Sequence, residues 1–107
     1  MFDNFRSATE SAVQQVVAVA GTLSNFQVRI DGTAGAAAST RSYTMTVRQN
    51  GANTSVTCTI LETATSCADT TNTVTFAASD LISIGVVPTA LNPTARAMHW
   101  TAQFSAP

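Results

Sequence analysis

Apolar residues in this chain return at every second position over most of its length, and that period of two is the mark of half-buried β-strands. Phe26, Val28 and Ile30 alternate with Gln27, Arg29 and Asp31; Tyr43, Met45 and Val47 alternate with Thr44, Thr46 and Arg48; Val56, Cys58 and Ile60 alternate with Thr57 and Thr59. The same period runs through Val74 and Phe76, through Ile82, Ile84 and Val86, and through Met98, Trp100, Ala102 and Phe104. Val17 and Val19 add a short strand before Gly21, and the residues around Cys67 supply one more. About eight short strands divided by turn residues predict an all-β fold, a single-domain antiparallel β-sandwich of Greek-key or jelly-roll type. At 107 residues the chain can bury one modest core, not two.

Turn residues fall between the alternating runs: Asp31-Gly32, Asn50-Gly51, Asp69 to Asn72, Ser79-Asp80, and Pro88 to Pro93. Asn50-Gly51 is the sharpest of them, because both central residues of a type I′ hairpin need positive φ. A two-residue loop there pairs Val47 with Thr54, Met45 with Val56 and Tyr43 with Cys58, which puts the apolar residues of both strands on one face. Phe5, Ala8, Ala12 and Val16 sit at rough helical spacing, so residues 5–15 read as an arm or a short helical turn; the domain proper runs over 16–107 and the arm over 1–15. Ala36-Ala37-Ala38, between Gly35 and Ser39, reads as a loop.

Cys58 and Cys67 lie in the stretch TCTILETATSC. A hairpin centred between Glu62 and Thr63 would pair Ile60 with Thr65 and Cys58 with Cys67, with Cα atoms about 4.5 Å apart in a non-hydrogen-bonded pair. A disulfide can just bridge that distance, and closing so short a loop stabilises by about 2.5 kcal/mol. The other reading keeps both as reduced, buried apolar residues, and the two readings stand side by side. Zinc and redox chemistry are disfavoured by the spacing: CxxC is absent and one distant histidine cannot complete a ligand set.

Other functional classes are also disfavoured. Charged residues make up 10% of the chain, Lys is absent, and Arg6, Arg29, Arg41, Arg48 and Arg96 are scattered, so no basic patch for nucleic acid forms. His99 falls on the polar face of the last strand with no nucleophile motif to serve, so no catalytic residue is assigned and the chain reads as a non-enzyme. Trp100 reads as a core residue, with the lining of a ligand pocket as the alternative. Asp69 to Asn72 reads as an Asx-type turn, not a calcium loop, and no cofactor or metal site is marked. The apolar run Val16 to Ala20 is too short for a membrane span or a signal-peptide core, which points to synthesis in a cytoplasm. A surface of Thr, Ser, Ala, Asn and Gln with net charge −1 tolerates close self-association.

The order of the segments VAVAGTLSNFQVRI, SYTMTVRQNGANTSVTCTI and SCADTTNTVTFAASDLISIGVVP, followed by the late MHW strand, resembles a group of phage and prophage virion-associated proteins with a C1q/TNF-like jelly-roll. The chain departs from that pattern at Ser79, where Gly is expected before Asp80. The resemblance implies a virion role in a tailed bacteriophage and a homotrimer. Short length favours a small capsid decoration (cement) protein on the capsid exterior, bound to the major capsid protein or other virion proteins through an arm carrying Phe2, Phe5 and Arg6. The alternative is a tail-fibre or head-fibre receptor-binding module that holds a glycan with loops such as 31–41 and 88–96. Membrane and nucleic acid are not expected partners.

Overall fold

The computed structural model describes residues 14–33, 35–88 and 98–106. The arm residues Phe2, Phe5 and Arg6, all but the last two residues of the 5–15 segment read as an arm or helical turn, and nearly all of the 88–96 loop lie outside these residues; Gln15 is in a strand, not a helix. The described chain forms eight strands: β1 (Gln15–Val16), β2 (Gly21–Ile30), β3 (Ser42–Gln49), β4 (Ala52–Leu61), β5 (Ser66–Asp69), β6 (Val74–Phe76), β7 (Leu81–Pro88) and β8 (Met98–Ser105). All pairings are antiparallel.

Two sheets result. Sheet A has the order β1-β7-β3-β4; in sheet B the long strand β2 pairs with β5 and β6 on one side and with β8 on the other. The chain passes from one sheet to the other at β1–β2, β2–β3, β4–β5, β6–β7 and β7–β8, the jelly-roll style of winding. Gln15 pairs with Ile82, so the last residue assigned to the arm already belongs to the sandwich. The short strand expected at Val17 and Val19 sits at Gln15–Val16 instead. Val17 is buried in the link that follows, where its N–H donates to the Asp80 carbonyl (2.8 Å) and its own carbonyl accepts from the Ser79 N–H (2.8 Å).

Inward residues of both sheets meet in one core: Leu23, Phe26, Val28 and Ile30 from β2, Tyr43, Met45 and Val47 from β3, Val56, Cys58 and Ile60 from β4, with Phe76, Ile82 and Met98. Two irregularities make this possible. In β2, Asn25 takes φ 51° and the register against β8 slips by one residue between Ser24 and Gln27. An extra residue in a strand reverses its parity, so Leu23 and Phe26 both face inward although an odd spacing separates them.

The second irregularity corrects the expected register of the Asn50-Gly51 hairpin. Both turn residues have positive φ, as the type I′ turn requires, and Gln49 pairs with Ala52 and Arg48 with Asn53. Beyond them the register jumps by two, to Thr46 with Thr57, Met45 with Cys58 and Tyr43 with Ile60. Thr54 mends the gap: its hydroxyl donates to the Val47 carbonyl (2.8 Å) and accepts from the Val56 N–H (3.2 Å). A shift of two leaves the inward set unchanged, which is why the core pattern survives the wrong pairing.

Ser79 holds φ 76°, in the left-handed region that favours glycine. Ser79, where the sequence reading expects Gly, is therefore a residue whose backbone takes the conformation that Gly adopts most easily. Ser79→Gly is expected to raise stability by about 0.5–1 kcal/mol, read as a higher urea midpoint at unchanged m-value. A lower midpoint would show that the Ser79 side chain contributes more than the strain removes.

Candidate functional site

Cys58 and Cys67 form a disulfide with Cα atoms 5.8 Å apart. The ladder expected between them is absent. β5 does not pair with β4; it crosses to sheet B, where Cys67 stands opposite Val28 and Ser66 opposite Arg29. The cystine thus staples sheet A to sheet B along one side of the sandwich. The reversal depends on Glu62, which takes φ 54°. Its N–H donates to the Arg41 carbonyl (2.8 Å), and its carboxylate accepts from the Thr40 N–H (3.0 Å), so the 31–41 loop is tied to this corner.

Asp69 closes the same side. Its Oδ1 accepts from the N–H groups of Thr71 (3.1 Å) and Asn72 (3.0 Å), and its Oδ2 from Thr57 N–H (3.1 Å) and Asn72 Nδ2 (3.0 Å). The Asx turn expected from sequence is present, with a further bond reaching strand β4 of the other sheet. Hydrogen bonds from Asn72, Thr57 and Thr71 outweigh burial and lower the carboxyl pKa from 3.8 to about 2. Because the folded value is depressed, this stabilisation is present above pH 4 and disappears as pH falls towards 2. Asp69→Asn is expected to cost about 1–2 kcal/mol at pH 7, and to flatten the loss of stability between pH 4 and 2, by denaturant melts across that range. An unaltered pH slope in the variant would contradict this assignment.

A second carboxylate joins the two turns at the opposite end of β3. Asp80 Oδ1 accepts from Asn50 Nδ2 (3.1 Å) and Oδ2 from Gln49 Nε2 (3.0 Å) and the Ala77 N–H (2.8 Å), while Asn50 Oδ1 accepts from the Leu81 N–H (2.8 Å). The Asn50 side chain, led by its bond to the carboxylate, holds Asp80 below the ordinary pKa. These bonds are architectural: both Asp80 oxygens and both polar atoms of the Asn50 side chain are used to fix the two turns.

Two surfaces remain as sites. On the outer face of sheet A, register places Thr44 beside Thr59 and Thr46 beside Thr57, each pair joined by a 3.0 Å hydroxyl contact. Val87 stands opposite Thr44 on the other side, and Val16, Leu61 and Val87 on this face are 62%, 51% and 64% exposed. Among the described residues Arg48 is the charged residue on it, and its guanidinium turns to the hairpin to donate to Asn53 Oδ1 and the Gly51 carbonyl.

The outer face of sheet B is different in kind. Register aligns Ser66, Arg29 and His99 in one row and Ala68, Gln27 and Thr101 in the next. All six are exposed, and they line a cleft of about 470 Å³ floored by Val28, Cys67 and Trp100. Trp100 faces inward as expected, with its ring centroid 6.0 Å from that of Phe26. His99 Nε2 lies 3.9 Å from Asp31 Oδ2, both side chains being well exposed. No group of His, Cys, Asp or Glu among the described residues could hold a metal, and no helix among them is long and apolar enough to cross a membrane.

No family model, curated protein or solved structure matches the chain. Sequence reading singled out His99 and Trp100 but not Arg29, Gln27, Ser66 or Thr101 as neighbours. Each carries only the signal of an outward position in an alternating run, and the strand order of sheet B is what brings them together.

Proposed function

We propose that this chain is a structural virion protein of a tailed bacteriophage, a small capsid decoration subunit that binds the capsid exterior as a homotrimer. The observation that carries this reading is the outer face of sheet A. Four of its threonine hydroxyls are paired with one another, Arg48 is turned to a local turn, and its exposed apolar groups among the described residues are Val16, Leu61 and Val87. Such a face costs little to desolvate and suits contact with protein. The family resemblance supplies the virion context, the threefold assembly and the major capsid protein as partner.

Binding of the purified chain to expanded capsids that lack it, with no adsorption to host cells, is the expected result. Placing a charge on the face with Thr46→Lys should abolish capsid association or trimer formation, while far-ultraviolet circular dichroism stays unchanged. Deleting residues 2–12 should weaken capsid binding and spare the fold. Adsorption to cells without capsid binding would overturn the reading in favour of a tail- or head-fibre receptor-binding module, a second reading that the cleft on sheet B favours.

A further inference from the structure

We propose that the cleft across the outer face of sheet B is a binding site for a carboxylated saccharide, with Arg29 as its anchor. This goes beyond the capsid role and does not depend on it, since the cleft lies on sheet B and the contact face proposed above lies on sheet A.

Arg29 sits at the centre of three strands, with Ser66 on one side and His99 on the other. Unlike Arg48, it makes no side-chain hydrogen bond or ion pair with any described residue. A guanidinium offers parallel N–H groups that match a carboxylate in two-point geometry. The nearby Asp31 carboxylate, 68% exposed, is 3.9 Å from His99 and is directed to the imidazole at the edge of the row. The positive charge at the centre of the cleft is therefore that of Arg29.

The groups around that charge point to a sugar. Gln27 brings an amide that both donates and accepts, Ser66 and Thr101 bring hydroxyls, and His99 brings a ring nitrogen, a set suited to several hydroxyls on one ring. Ala68, in the row beside Gln27, is small and leaves room between β5 and β8 for the ligand. A volume of about 470 Å³ lies within the range of small-ligand clefts. Trp100 is turned to the core and no Phe or Tyr lines the cleft, so recognition there depends mainly on charge and hydrogen bonds, which a charged sugar can use and a neutral one uses poorly.

The test is amide-shift titration of the full chain with methyl glucuronide, methyl glucoside, sodium acetate and sodium sulfate. The expected result is saturable binding of the glucuronide at about 1–10 mM, as for a single sugar on an open cleft, with shifts confined to residues 27–29, 66–68 and 99–101. Methyl glucoside and acetate should each bind at least ~10-fold more weakly, because each supplies half of the recognised chemistry. Arg29→Ala should weaken the glucuronide at least ~10-fold, and Arg29→Lys several-fold, since Lys keeps the charge and loses the fork. Ala68→Leu should block the cleft without changing charge and gives a second variant should Arg29→Ala fold poorly. Equal affinity for acetate or sulfate, shifts located elsewhere, indifference to Arg29→Ala and Ala68→Leu, or no saturation by roughly 50 mM glucuronide would each overturn the site. Loss of glucuronide binding in Arg29→Ala with capsid association retained separates this proposal from the decoration role.

Discussion

Phe26→Ala is expected to lower the unfolding free energy by about 3–5 kcal/mol, a large part of what a domain of this size possesses. Phe26 is fully buried at the centre of β2, on the first inward position after the Asn25 bulge, and its ring meets that of Trp100. β2 is the strand with which β5, β6 and β8 all pair, so the cavity opens where three pairings converge. Equilibrium urea unfolding would show the loss as a lower midpoint, with the Trp100 fluorescence transition tracking circular dichroism. Phe26→Leu should recover more than half of the loss. A cost below about 1 kcal/mol for the Ala variant would mean that this part of the core is loosely packed.

The second large effect concerns the staple between the sheets. Replacing Cys58 and Cys67 together by Ser, or reducing them, removes a constraint on a short loop of the unfolded chain, at about 2.5 kcal/mol in the chain-entropy account. For a domain of this length that corresponds to a fall of about 10 °C in the melting midpoint. Cys58 is a core residue whereas Cys67 is half-buried, so Cys58→Ser alone leaves a hydroxyl in the core and should cost at least as much as Cys67→Ser. Thermal melts with and without reductant, on samples whose oxidation is verified by mass after alkylation, measure the difference. Identical midpoints would show that the bridge adds nothing to stability.

Much of the core was legible before any coordinates, and the reason is the pleat. Tyr43, Met45, Val47, Val56, Cys58 and Ile60 announce their inward face by alternation alone, and each is buried. Their pairing was not legible, because hairpin register depends on what happens between turn and strand. Thr54 reads as one more threonine until its hydroxyl is seen to replace a backbone partner across the bulge. The segment Gly21–Asn25 escaped as a strand for a related reason. Its inward residues Gly21 and Leu23 are out of phase with Phe26, Val28 and Ile30, and a bulge erases the signal at the point where it reverses. Gly21 itself is required by contact: a Cβ there would lie 2.4 Å from the Phe104 ring, an approach that nothing local announces.

The cysteine stretch shows the same division. Spacing and alternation placed both cysteines where they could meet, but read them as cross-strand neighbours in one sheet. The chain instead leaves sheet A at Glu62 and enters sheet B at Ser66, and proximity along the sequence said nothing of that change.

What the sequence determined by itself is the class of fold and the identity of the inward face, since both follow from a local period that each strand carries within a few residues. Only the tertiary structure decided which strands are neighbours, and with them the cross-sheet position of the disulfide, the Asp69 latch and the row of Ser66, Arg29 and His99. Strand order is settled by non-local pairing, where residues far apart in the chain satisfy each other's backbone groups and bury a common face. No window of sequence contains both partners.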